Sequence, residues 1–371
     1  ARREAEQARS DSLDHEVRVA LSLGMEYYKN AQYRDAIPHF RRIVEDLNPE
    51  ETRAWKYLAD SYFRLDMPDS AFSVYSAGIE KFPEISHLHR GLALLYQKRA
   101  GEDQDNRSAW LDSAMTEYLQ AYEIDSSAAF CASQIGMILL SRADIDSAIS
   151  WLERSTRADS NEIATWEKLA ELYLYRGNWE GMRSAYRNLS RIQPENTEYT
   201  LSLSRAQANT GDFETAQSTL ESFIESNPDD YRGYQYMGFI RSANKDYSGA
   251  VDAFKKAEKL ASDNEDLLLD IANTYVDMDR LGSARQYLQK ARRIDPQSCK
   301  GIIIEGNICV EQTRTEVSEE GVGVRDKLKF KCCRDIYRRA VCKRCGKWAD
   351  VARLKIDYLD QFMPTAQEEK E

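Results

Sequence analysis

Several things are scarce or missing in this chain of 371 residues, and each absence narrows what it can be. No apolar run approaches the roughly 18 residues of a membrane-spanning helix. No stretch of any length alternates apolar and polar residues in the manner of a strand, so a sheet is not expected and the fold reads as all-α. There is no GxGxxG, no phosphate loop, no GxSxG and no HExxH, which removes the common dinucleotide, nucleotide, hydrolase and metalloprotease signatures and leaves no sign of an enzyme. Histidines number only four: His15, His39, His87 and His89. They form no triad with a cysteine, and His87 and His89, two residues apart, point to different faces of a helix. Excess positive charge is missing too. A formal charge of −11 argues against a general binder of nucleic acid or anionic membranes, though not against a local basic patch.

What is present is a period. One small residue recurs at Gly24, Ala59, Ala93, Gly136, Ala170, Ser204, Gly238, Ala272 and Gly306, separated by 35, 34 and 43 residues and then by 34 throughout. A second series runs through Ala36, Ala71, Ala114, Ala148, Met182, Ala216, Ala250, Ala284 and Cys333. A third, aromatic or aliphatic, runs through Phe40, Tyr75, Tyr118, Leu152, Tyr186, Leu220, Phe254, Leu288 and Tyr337. Pro83, Pro194, Pro228 and Pro296 close their units in phase. The unit is clearest from Trp55 to Pro83. Trp55, Leu58, Ala59 and Tyr62 make one helical stripe, Ala71, Tyr75 and Gly78 make another, and Pro83 stops the second helix. This pattern resembles the tetratricopeptide repeat (TPR). The resemblance implies a right-handed α-solenoid of about nine helix hairpins, each burying its apolar face against its neighbours.

The units are expected at 17–51, 52–85, 86–128, 129–162, 163–196, 197–230, 231–264, 265–298 and 299–346. Residues 1–16 read as a lead-in helix or tail. Insertions fall near 101–109, read as a polar loop, and near 314–328. Residues 347–363 read as a terminal capping helix whose inner stripe is Val351, Leu354 and Tyr358, followed by a disordered tail at 364–371. Gly177 and Gly211 sit where a helix end takes the left-handed conformation. The chain begins at Ala1 rather than Met, in keeping with a leader removed upstream, and envelope or periplasmic residence follows if one was.

Seven cysteines are present: Cys131, Cys299, Cys309, Cys332, Cys333, Cys342 and Cys345. The spacing of Cys332, Cys333, Cys342 and Cys345 admits a four-thiolate zinc site. A disulfide such as Cys342–Cys345 is a further reading. The repeat phase favours a plainer account for Cys333 and Cys309, which fall in core slots where cysteine acts as a small hydrophobe. An odd count leaves at least one free thiol and leans toward a reducing, cytoplasmic compartment.

In the family that the chain resembles, the first helices line a concave face on which peptides lie. Carried onto this sequence, that face holds Arg18, Arg53, Lys56 and Arg90 against Asp60 in the first three units, and Phe130 and Met137 in the fourth. An acidic or C-terminal peptide is expected there, drawn by the cations and anchored on the apolar pair. Asn273 and Asn307 make a weaker candidate at the other end, because Asn at this slot can bond a peptide backbone. The two-carboxylate clamp of the family's chaperone-tail subclass is missing, since Met25 and Asp60 stand where Asn would be expected. The chain therefore reads as a non-catalytic scaffold or adaptor with no cofactor. The alternatives are a zinc-stabilised regulatory protein and a subunit that self-associates through its ends.

Overall fold

In the computed structural model, residues 2–316, 324–342 and 345–360 are described, and among them all regular structure is helical, without a strand. The chain divides into two compact units, Ala1–Arg176 and Gly177–Glu371. Unit one holds α1 (Arg2–Lys29), α2 (Tyr33–Arg42), α3 (Thr52–Arg64), α4 (Pro68–Lys81), α5 (Ser86–Glu102), α6 (Arg107–Ile124), α7 (Ala129–Ser141), α8 (Ile145–Ala158) and α9 (Ile163–Arg176). Unit two holds α10 (Trp179–Ile192), α11 (Thr197–Asn209), α12 (Phe213–Ser226), α13 (Tyr231–Ala243), α14 (Tyr247–Leu260), α15 (Glu265–Asp277), α16 (Leu281–Ile294), α17 (Cys299–Glu316), α18 (Val324–Cys342) and α19 (Lys347–Asp360). Within each unit, successive helices pair as hairpins and the hairpins stack, so each is an α-solenoid.

The three sequence series meet at one point in the hairpin. The ring or branched side chain of the second helix lies on the small residue of the first. A Cβ on Gly24 would stand 2.8 Å from the Phe40 ring, one on Gly136 2.8 Å from Leu152, one on Gly238 2.5 Å from Phe254 and one on Gly306 2.4 Å from Tyr337. At such separations the slot admits nothing larger without moving the ring. The pressing residues Phe40, Tyr75, Tyr118, Phe254 and Tyr337 are among the largest fully buried side chains.

The turn inside each hairpin follows the same period. A left-handed residue appears at Ala31, Asp66, Ala143, Gly177, Gly211, Lys245 and Asp279, so the conformation belongs to the repeat and glycine occupies only two of the seven positions. From Asp144 on, the next residue often caps the second helix. Asp144, Asn178, Asp212 and Asp246 accept the backbone N–H of Ser147, Gly181, Thr215 and Gly249 at 3.3, 2.9, 3.2 and 2.9 Å.

The hairpin of α5 and α6 departs from this turn, and the polar loop expected at 101–109 is not there. The inserted residues go into the helices. α5 has 17 residues and α6 has 18, against 13 and 14 in the preceding pair, leaving a turn of four residues, 103–106. Asp103 organises that turn by accepting bonds from the Asn106 backbone N–H (3.2 Å), Asn106 Nδ2 (2.9 Å) and Trp110 Nε1 (3.0 Å). The Trp110 ring then stacks on Tyr96, 6.0 Å between centroids. Of the second insertion, 317–323 lies outside the described residues, as does the tail from 361.

The terminal helix turns in only part of the face its phase implies: Val351 packs half-buried on the last core. Ala349, Ala352 and Leu359 are buried, whereas Leu354 is 71% and Tyr358 49% exposed. A disulfide, Cys299–Cys345, ties the turn before α19 to the start of α17 and so constrains how α19 is set down.

Gly238→Val should destabilise unit two by about 1–3 kcal/mol, the usual range for overpacking a filled core. Urea unfolding of the variant against the wild type checks this, and the effect should be much smaller for Gly282→Val, where an added Cβ meets open space.

Candidate functional site

Within each unit the first helices of successive hairpins share a face. α3 touches α5 in unit one, and in unit two α11 touches α13 and α15 touches α17. On that face in unit one, α3 supplies Lys56 and Asp60, α5 supplies His87, Arg90 and Gln97, and α7 supplies Phe130, Gln134 and Met137.

The cations expected here fall into two groups. Arg53 is already occupied: its Nε and Nη2 both bond the carboxylate of Glu51, at 2.8 Å each, within its own helix start. That pairing holds the Glu51 carboxyl below the usual carboxylate range. Lys56, Arg90 and Arg18, by contrast, pair with no carboxylate among the described residues. Lys56 rests its ammonium over the Tyr57 ring, 5.1 Å from the centroid. Lys56 and Arg90 are half-buried and Arg18 is exposed.

Asp60 does not neutralise them in the ordinary way. Burial raises its carboxyl above the normal value, while the Tyr75 hydroxyl that donates to it and the charges of Lys56, Arg90 and Arg64 pull the other way. The stronger mark of this face is His87. Its Nε2 is buried without a hydrogen-bond partner. Burial first, then the charges of Lys56 and Arg90, push its imidazole down to about 4. A neutral acceptor-capable ring next to two unpaired cations is a surface short of one anion. Phe130 and Met137 extend it as an apolar patch, 38% and 42% exposed, with Phe130 edge-on to Tyr118 at 6.2 Å. Below them runs a polar chain in which the Tyr118 hydroxyl donates to Gln97 Oε1 (2.8 Å) and Gln97 Nε2 donates to Gln134 Oε1 (2.9 Å). His89, as the spacing required, points elsewhere. Its two ring nitrogens meet Glu117 (2.7 Å) and the Pro83 carbonyl (2.9 Å), and the Glu117 bond raises its pKa.

The matching face of unit two is internally satisfied to a greater degree. Lys300 Nζ reaches Asp270 (2.6 Å) and Asp266 (3.1 Å), and Gln235 donates to the other oxygen of Asp270 (3.0 Å). Arg232 holds Asp230 and Glu198. Asn273 and Asn307 bond to each other at 3.3 Å, and Asn307 also accepts the Tyr337 hydroxyl at 2.8 Å. Asn307 repeats the position of Asp60 one residue past the small slot, where the second helix's tyrosine reaches through to it. These two asparagines therefore offer less to a peptide backbone than their sequence position suggested. Arg205, Tyr236, Phe239 and Trp348 line a cavity of about 720 Å³ on this face.

The four cysteines read as a zinc set are divided by the structure. Cys333 is bonded to Cys309 and Cys345 to Cys299, while Cys332 is an exposed free thiol. The side chain of Cys342 lies outside the described residues. Cys309 and Cys333 are indeed in core slots, but as a disulfide between α17 and α18. The signal was partly available: both cysteines fall on the inward stripes of paired helices, Cys309 one turn past the small slot at Gly306 and Cys333 in the small slot of the second helix. With four of seven cysteines paired, the odd count no longer argues for a reducing compartment.

Tetratricopeptide repeat family profiles match residues 21–84, 201–265 and 242–300. Among curated proteins, the chain is similar to the peroxisomal targeting signal receptor of Saccharomyces cerevisiae, 23% identical over 72% of this chain and 43% of the relative. It is also similar to BBSome complex member BBS4 of Bos taurus, 24% identical over 68% of this chain and 46% of the relative. The chain thus spans less than half the length of these relatives. Among solved structures it is similar to yeast Tom70, at 10% identity and a TM-score of 0.43, covering 94% of this chain and 96% of the other. It is similar as well to a thermophilic TPR protein of Thermus thermophilus, at 20% identity and a TM-score of 0.39, covering 51% of this chain and 98% of the other.

The low pKa of His87 fixes the sign of a pH effect. Unfolded, its imidazole takes a proton near 6.5; folded, it resists until about 4. Between those values the unfolded chain binds the extra proton, so this residue lowers stability as the pH falls through that window. His87→Gln should flatten the acid-side loss of stability between pH 6.5 and 4, measured by urea unfolding at successive pH values, while leaving stability at pH 8 nearly unchanged.

Proposed function

This chain belongs to the tetratricopeptide repeat family, and from that premise we propose that it is a non-catalytic scaffold whose unit one captures an acidic protein segment or a free C-terminus. The observation that carries the reading is the pair of half-buried cations, Lys56 and Arg90, beside the imidazole of His87, whose Nε2 is buried without a hydrogen-bond partner. A carboxylate entering there meets two charges that need no ion pair broken first, and it can accept charge-assisted hydrogen bonds from both. Phe130 and Met137 give the segment an apolar anchor further along the same face. Arg53 contributes little, because Glu51 already holds it.

The wider class has support of a different kind. The family's repeat is a binding module, and its relatives include proteins named as a targeting-signal receptor and as a complex member. Nothing in the docking face supplies a nucleophile beside a base, or a set of convergent acids, with which to run chemistry.

A fluorescein-labelled acidic peptide with a free C-terminal carboxylate serves as the probe, read by anisotropy. Lys56→Glu/Arg90→Glu should weaken binding by more than about 100-fold, from roughly 1.5–3 kcal/mol for each of the two charge-assisted hydrogen bonds removed. Arg53→Glu should change it by less than about threefold, in line with an exposed ion pair. Binding should weaken as salt rises, and helicity should be the same in all variants. Equal affinity in the double variant would remove the site from unit one.

A further inference from the structure

The terminal helix of unit two does more than cover the last hairpin. Trp348, Val351 and Lys355 line a cavity of about 290 Å³ together with Phe239, Asn273 and Lys300, residues of the docking face of α13, α15 and α17. Leu354, Lys355 and Tyr358 line another of about 450 Å³ with Asp277 and Asn307. The charge of Lys355 also works against the burial that raises the Asp277 carboxyl. So α19 overhangs the face on which a partner would lie, with the exposed Leu354 and Tyr358 turned toward it.

Two kinds of restraint keep α19 there. The non-covalent one is packing: Ala349, Ala352 and Leu359 are buried against the last hairpin, Trp348, Val351 and Ile356 add partly buried contacts to the same core, and Arg334 pairs with Asp360 at 2.9 Å at the far end of the helix. The covalent one is Cys299–Cys345, which joins the first residue of α17 to the turn just before α19, next to the left-handed Gly346. Both sulfur-bearing residues are only half-buried. In the other disulfide, Cys309–Cys333, Cys309 is likewise half-buried, while Cys333 is fully buried in the core of the same hairpin. A thiolate can approach either cysteine of Cys299–Cys345 but only one of the other pair, Cys309, which is the difference between the two bonds.

We propose that α19 is a lid on the docking face of unit two, latched by Cys299–Cys345 and released when a dithiol reductant cleaves that bond. One thiolate of the reductant attacks a sulfur of the pair and forms a mixed disulfide. Its second thiol then displaces the remaining cysteine. Cys299–Cys345 thereby gains two electrons and two protons and becomes two thiols, and the reductant leaves as its own disulfide. Cys309–Cys333 stays closed and keeps α17 on α18, so the face persists while its lid comes free. The inference is independent of the docking site proposed in unit one.

Peptide mapping of the unreduced full chain comes first: it should recover Cys299 linked to Cys345 and Cys309 linked to Cys333. Recovery of Cys342 in place of Cys345 overturns the latch. Hydrogen–deuterium exchange then follows 347–360 as dithiothreitol is raised. Exchange in this segment should accelerate by about tenfold before any change in α15 to α18, as for a locally opening element. Cys299→Ser/Cys345→Ser should show the fast exchange without reductant, and Cys309→Ser/Cys333→Ser should not show it as a step confined to α19. If 347–360 exchanges at the oxidised rate after Cys299–Cys345 has been reduced, packing alone holds the helix and the proposal fails. Stepwise reduction of the wild type decides the matter even if the first variant does not fold.

Discussion

The structure depends on how closely two helices of a hairpin can approach at one point. Where Phe40, Phe254 or Tyr337 lies over Gly24, Gly238 or Gly306, the ring fills the space that a side chain would occupy, and the contact is dense on both sides. Everything periodic in the sequence serves that contact. The small residue makes room, the large one fills it, and the turn between them fixes how far along each helix they fall. Because the hairpin buries only one side of itself this way, its other apolar residues need the next hairpin, which is why each unit is a stack and not a set of independent pieces.

The same contact shapes the docking face. Tyr75 and Tyr337 are long enough to pass their small slot and deliver a hydroxyl to the residue behind it, Asp60 in one case and Asn307 in the other. A core residue thus dictates the hydrogen-bonding state of a surface one. On unit one this ties down Asp60, whose carboxyl feels the charges of Lys56 and Arg90, while neither cation has an ion pair among the described residues. On unit two it engages Asn307, and the acids Asp266 and Asp270 hold Lys300. The two faces are built from the same repeat and differ in how far they complete themselves.

Much of this was legible in the sequence because periodicity is a collective signal. Nine occurrences of a small residue in phase outweigh any single ambiguous position, and the helices fall where the phase puts them. Legibility failed where the period gave no guidance. The polar letters of 101–109 have the composition of a loop, yet Asp103 and Trp110 let the helices run on and close the turn in four residues. The phase placed Val351, Leu354 and Tyr358 inward; Val351 does pack on the last core, but Ala349, Ala352 and Leu359 take the buried positions and leave Leu354 and Tyr358 exposed. Within the site, residue type identified the cations but not their state: Arg53 and Lys56 look equivalent in sequence and differ only because Glu51 is within reach of one of them.

The lengthened hairpin of α5 and α6 has one more consequence. Four extra residues add about 6 Å to each helix at about 1.5 Å per residue, so this hairpin projects past its neighbours as a ledge. Its flank carries Tyr96 and Trp110, and the guanidinium of Arg99 lies between the Trp110 ring and Phe72 of α4 in the hairpin before it. A surface that repeats every 34 residues offers the same foothold many times over. The ledge removes that degeneracy in unit one, giving an otherwise uniform edge a fixed point from which position along it is defined.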